Sequence, residues 1–331
     1  MLELNRRHLL GGAVAASAAT ALSPLAASPV HAAAPPVGKQ APGWYRHKVG
    51  SIEVTVVTDG LRTSAVPDTF VRNQPKEAVH AALASLYMDK DRALAPFNPV
   101  VVNTGSKLVV IDTGFGPAML EQSKGALGQF QGNLAAAGID RNTVDTVVIS
   151  HFHGDHINGL LAADNKAAYP NAEVMVPDPE WKFWMSDDNM NKAPEAMKGA
   201  FNNVRRVFGI IGNKRTNYEP GKDVAPGIAS VAAHGHSPGH TIHIVNSGNS
   251  SLMIQGDTTI LPQLFVRNPG WHVMFDMDAP AAEATRRRIY DRLVADKMLV
   301  QGYHYPFPAL AYIEKSATGY REIPVSWNPT I

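Results

Sequence analysis

Three histidines and one aspartate lie close together directly after an apolar run of the chain. The run Thr146–Ser150 has the composition of a strand, and the sequence from His151 to His156 reads His-Phe-His-Gly-Asp-His. Imidazole and carboxylate groups are costly to bury without partners, and they are good ligands for zinc, manganese and iron. The cluster predicts a metal site at the end of a strand, so the fold has to bring further ligands there.

The spacing inside this cluster suits two ions. His151 and His153 occupy alternate positions and can face one metal, while Asp155 and His156 turn towards a second. The chain has no cysteine, which excludes disulfides and thiolate metal sites. Any transition-metal site must therefore be built from His, Asp and Glu.

Three further stretches place polar residues after predicted strands. They are His234–Thr241, Met253–Thr258 and Gly302–Pro306. Sites in α/β sheets assemble at the carboxyl ends of strands. We therefore expect these stretches to meet the first cluster in space.

Short apolar runs predict strands, and longer patterns predict helices between them. The predicted strands are Ile52–Thr58, Pro99–Asn103, Leu108–Asp112, Thr146–Ser150, Glu173–Pro177, Ala229–Ala233, Ile242–Asn246, Ser251–Gln255 and Met298–Gly302. The predicted helices are Pro75–Ser85, Pro117–Ala137, Pro194–Phe208 and Ala279–Asp296, with a helical turn at Glu180–Trp184. This order predicts an α/β domain whose helices cover its sheets. We expect a single domain over residues 46–331, with Asp187–Ala193 as an inserted loop that could act as a lid.

The first 32 residues have the features of an export signal. Arg6 and Arg7 precede an apolar stretch rich in Ala and Gly, and Val30-His31-Ala32 offers a cleavage site. The Arg pair resembles a twin-arginine signal, which predicts a periplasmic protein. The alternative is a membrane anchor, which the proline and the small residues of the stretch disfavour. Residues 33–45 are expected to form a flexible lead-in.

The charge balance argues against a polyanionic partner. The 30 Lys and Arg residues are offset by 29 Asp and Glu residues, giving a formal net charge of +1. The chain therefore has no basic surplus that would indicate binding to nucleic acid. A small, uncharged substrate fits this balance better.

Taken in order, the motifs resemble the metal site of the metallo-β-lactamase superfamily. The pattern is His-x-His-x-Asp-His, then Ser-Pro-Gly-His-Thr, then Gly-Asp, then a late His. Within that superfamily the chain is most similar to the methyl parathion hydrolase-like subgroup. The stretches that carry this similarity are Arg72–Pro75, Val101–Leu108, Asp112–Gly114, His304–Pro308, Gly319–Tyr320 and Ile323–Val325. The resemblance implies a four-layer αββα sandwich with the metals at one edge.

The resemblance also implies a ligand set. One metal would be bound by His151, His153 and His240, the other by Asp155, His156 and His304, and Asp257 would bridge the two. Asp112 would orient a ligand from behind. His236 is expected to support the site or its loop and not to bind metal, and His234 and His243 are expected to have no role in it.

The function implied is hydrolysis by two divalent ions, with zinc as the expected metal. Two such ions can hold a bridging hydroxide at neutral pH. The expected substrates are uncharged lactones, aryl esters or organophosphate triesters. Asp155 or Asp257 could also relay a proton, and Arg72, Phe115 and Trp184 are the candidates for the substrate pocket. The resemblance further implies a homodimer.

Other readings of the chain stay open at this point. A mononuclear-iron oxygenase of the persulfide dioxygenase type has a related motif, and a β-lactamase has the same fold. A non-enzymatic metal-binding protein ranks last, because all seven expected ligands are present. Gly235–Gly239 matches the Gly-x-Ser-x-Gly elbow of serine hydrolases, but the residue after the serine is Pro238, which has no N–H for an oxyanion hole.

Overall fold

The computed structural model describes residues 36, 38 and 40–331. The predicted signal segment 1–32, with its Arg6-Arg7 pair, lies outside these residues. Strand β1 spans Trp44–Val49, so Trp44 and Tyr45 belong to a strand and not to the lead-in predicted over residues 33–45. Within the described part of the chain, no helix is long and apolar enough to cross a membrane.

The domain is built from two seven-stranded mixed sheets. The first sheet has the order β1-β2-β5-β6-β7-β8-β9, and the second runs β10 to β16 in sequence order. The first sheet comprises β1 (Trp44–Val49), β2 (Ile52–Val57), β5 (Val100–Asn103), β6 (Leu108–Ile111), β7 (Thr146–Val148), β8 (Glu173–Pro177) and β9 (Arg215–Tyr218). The second comprises β10 (Asp223–Ala225), β11 (Ile228–Ala232), β12 (Thr241–Ser247), β13 (Ser250–Ile254), β14 (Leu299–Gln301), β15 (Leu310–Lys315) and β16 (Tyr320–Pro324).

Parallel pairing occurs in one part of each sheet. Strands β6, β7, β8 and β9 pair in parallel in the first sheet, and β13 pairs in parallel with β14 in the second. The carboxyl ends of parallel strands lie at one edge of a sheet. The loop after β7 therefore starts from that edge of the first sheet, and the loops after β13 and β14 start from one edge of the second.

The inner faces of the two sheets form a shared apolar core. Val54 and Val102 of the first sheet and Val245 and Leu252 of the second are fully buried in it. Such near-continuous Val and Ile runs are typical of strands covered on both faces. The apolar runs predicted as strands therefore do form strands, and most of their bounds shift by only one or two residues.

Helices cover the outer face of each sheet. The described helices are α1 (Lys76–Ser85), α2 (Ala118–Gln122), α3 (Phe130–Ala136), α4 (Gly154–Ile157), α5 (Asp178–Trp184), α6 (Asp187–Lys192), α7 (Glu195–Ile211), α8 (Pro262–Phe265) and α9 (Ala279–Asp296). Helix α7 packs Phe201, Val204 and Phe208 towards the first sheet. Helix α9 packs Ile289 and Leu293 towards the second. The four layers are helix, sheet, sheet, helix, as the resemblance implied.

Two predicted elements differ from the structure. The helix predicted over Pro117–Ala137 is two short helices, because Gly125 and Gly128 between them have φ angles of +85° and +79°. The loop predicted at Asp187–Ala193 is mostly helical, since the Ser186 hydroxyl accepts a hydrogen bond from the Asn189 N–H and caps α6.

A two-stranded hairpin stands apart from both sheets. It consists of β3 (Gly60–Ala65) and β4 (Arg92–Phe97), neither of which was predicted. The carbonyl of Pro96 on β4 accepts a hydrogen bond from His304 Nδ1 at 2.8 Å. The hairpin is thereby tied to the polar edge of the sheets.

Candidate metal centre

The first group of ligand-type side chains comprises His151, His153, His236 and Asp257. One atom from each lies within 4.8 Å of the others. His153 Nδ1 is 2.9 Å from both His151 Nε2 and His236 Nε2, and His236 Nε2 is 3.2 Å from Asp257 Oδ2. We call this group cluster one. Four ligand atoms converging on one point fit a single transition-metal ion.

The second group comprises Asp155, His156, Asp257 and His304, and we call it cluster two. His156 Nε2 is 3.4 Å from Asp155 Oδ2 and 3.2 Å from Asp257 Oδ1. His304 Nε2 is 3.1 Å from Asp257 Oδ2. Asp257 belongs to both clusters, so one carboxylate can serve two ions.

The fold brings these residues together from four loops. His151 to His156 follow β7, and His236 lies in the loop between β11 and β12. Asp257 sits in the short turn Gly256–Thr258 after β13, and His304 follows β14. Each sheet therefore contributes part of each cluster.

Two buried atoms support the presence of a cation. His156 Nε2 and Asp257 Oδ1 are buried and form no well-aligned hydrogen bond, although the two atoms lie 3.2 Å apart. A buried polar atom without a partner costs free energy unless something satisfies it. Divalent ions bound by these ligands would satisfy both atoms.

The charges of the clusters are set by burial and by close neighbours. Burial, aided by the nearby His236, lowers the pKa of His153 to about 3. Burial opposes protonation of His236 too, but the carboxylates of Asp257 and Asp276 outweigh it and raise its pKa to about 9. A metal ligand must be a neutral imidazole, so ion binding at His236 releases a proton.

Asp112 lies directly behind His156. Its Oδ2 is 2.8 Å from His156 Nδ1 and accepts from the Ser150 hydroxyl at 2.7 Å, while its Oδ1 accepts from the Ser150 N–H at 2.8 Å. A carboxylate on the far nitrogen fixes the tautomer and the ring orientation of a ligand histidine. Asp112 therefore orients His156, in the position that the resemblance gave it.

Asp276 plays the same part for His236, and the sequence gave no signal for it. Asp276 Oδ1 is 3.0 Å from His236 Nδ1, and Asp276 Oδ2 accepts from Arg286 Nη2 at 3.0 Å. Arg286 is itself buried, and its other donors bind the backbone carbonyls of Thr258, Pro269 and Trp271. Asp276 lies in the loop before α9, ten residues from Arg286 on that helix and 40 residues from His236.

The structure corrects the expected role of His240. His236 occupies the place in cluster one that was predicted for His240. His240 Nδ1 donates to the Ala233 carbonyl at 3.0 Å, and its Nε2 accepts the Asp257 N–H at 3.0 Å, so neither nitrogen is free for a metal. A Cβ at Gly256 would lie 2.7 Å from His240 Nε2, which shows how closely the ring packs behind the turn. His240 positions the backbone of Asp257.

Glu180 is a second residue that the sequence did not reveal. It is fully buried, and burial raises its pKa. Its carboxylate accepts from the Phe152 N–H at 3.1 Å, the Gly239 N–H at 2.6 Å, Trp184 Nε1 at 2.7 Å and the Ser237 hydroxyl. Glu180 therefore holds the loop after β7 against the loop that carries His236.

His234 and His243 lie outside both clusters. His234 Nδ1 contacts the Pro238 carbonyl, and the fully buried His243 has its Nε2 3.2 Å from the Tyr218 hydroxyl. Both positions agree with the absence of a role for them in metal binding.

A family model described as the metallo-β-lactamase superfamily matches residues 96–300, more than half of the chain. The chain belongs to the metallo-β-lactamase superfamily. A search of curated proteins finds no match. The superfamily accounts for the sandwich and for the position of both clusters at its edge.

Solved structures of the superfamily share the fold. AidC, a dizinc quorum-quenching lactonase in complex with a product, N-hexanoyl-L-homoserine, has a TM-score of 0.80 and 26% identity, covering 86% of this chain and 98% of its own. The hydrolase AbOPH of the β-lactamase superfamily has a TM-score of 0.80 and 26% identity, covering 88% and 100%. A probable metal-dependent hydrolase from Staphylococcus aureus, at 21% identity, 86% and 100% coverage and a TM-score of 0.65, shows the fold alone. These likenesses and the metal-binding clusters support a metal-dependent hydrolase.

A cavity of 280 Å³ opens above the two clusters of this superfamily member. Its size is at the low end of the range for small-molecule sites. Its floor is made of cluster residues: His153, Asp155, His236, Asp257 and His304. The remaining lining residues form its walls: Arg62, Ala95, Phe97, Gly154, Ile260 and Phe275.

The three residues predicted for the substrate pocket do not line this cavity. Trp184 is 1% exposed and packs against Phe201 in the core between the first sheet and its helices. The prediction that Trp184 lines the substrate pocket was therefore wrong. Phe115 packs edge-on against Phe97, at 4.8 Å between ring centroids, and so supports the wall from behind. Arg72 donates to the carbonyls of Met274 and Asp276, and so holds the loop that carries Phe275.

Proposed function

We propose that the chain is a dinuclear hydrolase that uses two zinc ions to cleave lactones or other uncharged ester-type substrates. The observation that carries the proposal is the sharing of Asp257 by two complete ligand clusters. A dinuclear site needs a bridging ligand, and a buried carboxylate with both oxygens directed inwards suits that role. The likeness to a dizinc lactonase and to AbOPH supports the same reading.

The ligand assignment follows from the clusters. In this proposal His151, His153 and His236 hold one ion, Asp155, His156 and His304 hold the other, and Asp257 serves both. Ions bound there would supply Lewis acidity and a hydroxide at neutral pH. The protein's own task is to hold the ligand rings in place beneath the cavity.

We assign the proton transfer to Asp155. Its side chain is 16% exposed and borders the cavity, whereas that of Asp257 is 4% exposed. The Asp155 carboxylate can take the proton of the attacking water and pass it to the leaving oxygen. Asp155→Asn should therefore slow esters with poor leaving groups more than esters with good ones, and equal losses would contradict the assignment.

The metal content and a small substrate panel test the whole proposal. The panel holds an acyl-homoserine lactone, an aryl ester, methyl parathion and a penicillin, assayed with the protein that begins at residue 33. We expect about two zinc ions per chain and turnover that a chelator abolishes. Turnover of methyl parathion would support the methyl parathion hydrolase-like subgroup, and turnover of penicillin alone would make the chain a β-lactamase.

A mononuclear-iron oxygenase is the other candidate within the superfamily. Cluster one alone would serve such an enzyme, and cluster two would then have no role. Its buried and unpartnered His156 Nε2 favours the dinuclear reading. One iron per chain without hydrolysis of any panel member would overturn the proposed function.

We also propose that the protein is exported with cleavage near Ala32 and that it forms a homodimer. The first proposal rests on the sequence features of residues 1–32, and the second on the resemblance to the methyl parathion hydrolase-like subgroup. N-terminal sequencing of the periplasmic fraction and the mass in solution by light scattering test them. An uncleaved cytoplasmic chain or a monomer would contradict one or the other.

A further inference from the structure

Arg62 is the cationic side chain in the wall of the cavity. It lies on β3, opposite Ala95 of β4 in the hairpin register, and both residues line the cavity together with Phe97. The hairpin thus presents one face to the cavity and the other to solvent. No motif of the sequence singled out this position.

Two aromatic rings fix the position of the guanidinium. Its central carbon lies 5.5 Å from the ring centroid of Phe97 and 5.3 Å from that of Phe115. Among residues 40–331, no carboxylate or carbonyl accepts a hydrogen bond from it, whereas Arg72 and Arg286 are held by backbone carbonyls. Arg62 therefore keeps a planar set of N–H donors available to a ligand at little cost in side-chain entropy.

The rest of the cavity divides into two chemical zones. The floor is made of cluster ligands, and the wall apart from Arg62 is formed by apolar side chains and Gly154. A substrate whose scissile ester lies on the floor therefore meets one charged donor on the wall. That donor is then available to an acceptor oxygen outside the scissile bond.

We propose that Arg62 binds a second carbonyl oxygen of the substrate, and that the enzyme thereby selects lactones and esters that carry an amide or similar acceptor beside the scissile ester. This inference rests on the proposed hydrolase function and narrows its substrate class. Arg62 is assigned as a specificity residue that acts on binding, because it lines the wall of the cavity and belongs to neither ligand cluster on the floor.

A matched pair of lactones tests the inference. One is N-hexanoyl-homoserine lactone, which has the amide, and the other is a γ-lactone with a plain alkyl chain of similar length. In Arg62→Met we expect KM for the amide lactone to rise about ten-fold, with kcat within about two-fold, because a hydrogen bond to a charged donor is lost. KM for the alkyl lactone should not change, and Arg62→Lys should recover part of the loss.

Arg92→Met is the matched control. Arg92 lies on the same hairpin, opposite Ala65, and points away from the cavity. It should behave as the unaltered protein with both lactones. A loss in Arg92→Met equal to that in Arg62→Met would attribute the effect to the hairpin and overturn the inference.

Calorimetry with the product N-hexanoyl-homoserine separates this inference from the proposed function. We expect Arg62→Met to weaken product binding about ten-fold while the metal content stays unchanged. If Arg62→Met has the same kinetics as the unaltered protein with both lactones, the role of Arg62 alone is overturned. If the unaltered protein turns over neither these lactones nor any member of the substrate panel, the hydrolase proposal fails, and unchanged product binding in Arg62→Met would then refute the role of Arg62 separately.

Discussion

Two buried carboxylates each hold one ligand histidine, and the two halves of the molecule build this support differently. Asp112, after β6 in the first half, binds His156 and is fixed by the N–H and hydroxyl of Ser150. Asp276, before α9 in the second half, binds His236 and is fixed by the Arg286 guanidinium. Asp112 is thus fixed by the dipolar N–H and O–H groups of Ser150, whereas Asp276 is fixed by the charged side chain of the buried Arg286. Loss of the carboxylate should therefore have different consequences in the two halves.

The largest effect is expected at Asp257, the carboxylate that belongs to both clusters. Asp257→Asn removes the shared ligand and should empty both clusters, leaving metal content near zero and activity at background. The measurement is zinc per chain after dialysis, compared with Asp188→Asn on the exposed face of α6. Retention of one tightly bound ion would show that the clusters are independent of each other.

Substitution of the two supports tests the difference between them. Asp276→Asn leaves the buried Arg286 without its carboxylate, so the metal-free protein should lose about 3–5 kcal/mol of unfolding free energy. Asp112→Asn leaves His156 beside the carboxylates of Asp155 and Asp257 and should cost about 1–3 kcal/mol. Each should also weaken metal binding about 10–100-fold. Chemical unfolding in the presence of a chelator measures the first quantity, and a competition titration measures the second.

The double variant sharpens the same comparison. Asp276→Asn combined with Arg286→Met removes both charges, so it should be more stable than Asp276→Asn alone. Equal or lower stability of the double variant would mean that Arg286 acts through its hydrogen bonds to the Thr258, Pro269 and Trp271 carbonyls and not through its charge.

Asp59 extends the comparison to a buried carboxyl with no cation beside it. Burial raises its pKa from 3.8 to about 7, although the N–H groups of Phe115, Phe130 and Gly128 partly offset the shift. An acid whose pKa is raised by folding contributes stability at low pH and loses that contribution as the pH rises towards the folded value. Between pH 4 and 7 the protein should lose roughly 4 kcal/mol relative to Asp59→Asn. Urea unfolding of both proteins in chelator, with Asp188→Asn as the control, measures the difference, and parallel curves would contradict it.

A small effect, of the size expected for Asp112→Asn, is expected at Glu180, which joins the two ligand-bearing loops. A glutamine there keeps one acceptor oxygen and turns an N–H₂ group towards donors such as the Gly239 N–H. Glu180→Gln should cost about 1–3 kcal/mol of unfolding free energy. Glu173→Gln on the exposed side of β8 is the matched control. Thermal unfolding distinguishes them, and identical midpoints would show that the loops do not depend on this carboxylate.

The sequence predicted the sheets and the floor of the cavity because both depend on local patterns. Apolar runs located most strands, and the dense cluster from His151 to His156 marked the edge where ligands meet. The sequence could not separate His236 from His240, since each follows a glycine in the same loop and spacing alone does not show which ring faces inwards. The hydrogen bonds to Ala233 and Asp257 decide it.

The walls and supports of the site depend on long-range contacts that no local pattern records. Arg62 reaches the cavity only because the unpredicted hairpin folds over it. Asp276 meets His236 across 40 residues of chain, and Glu180 meets Ser237 across 57. Trp184 looked like a pocket residue because aromatic side chains serve both pockets and cores, and here it belongs to the core.

The sharing of Asp257 has a consequence for the order of events in biosynthesis. A chain that has left the ribosome only as far as β9 already carries His151, His153, Asp155 and His156, but not the carboxylate that completes either ligand set. The missing ligands arrive only when the second sheet has docked on the first, after the long intervening loop has been closed. If the protein is the dinuclear zinc hydrolase proposed above, zinc uptake is a late event that follows completion of the sandwich, and a truncated or half-docked chain would leave synthesis without metal.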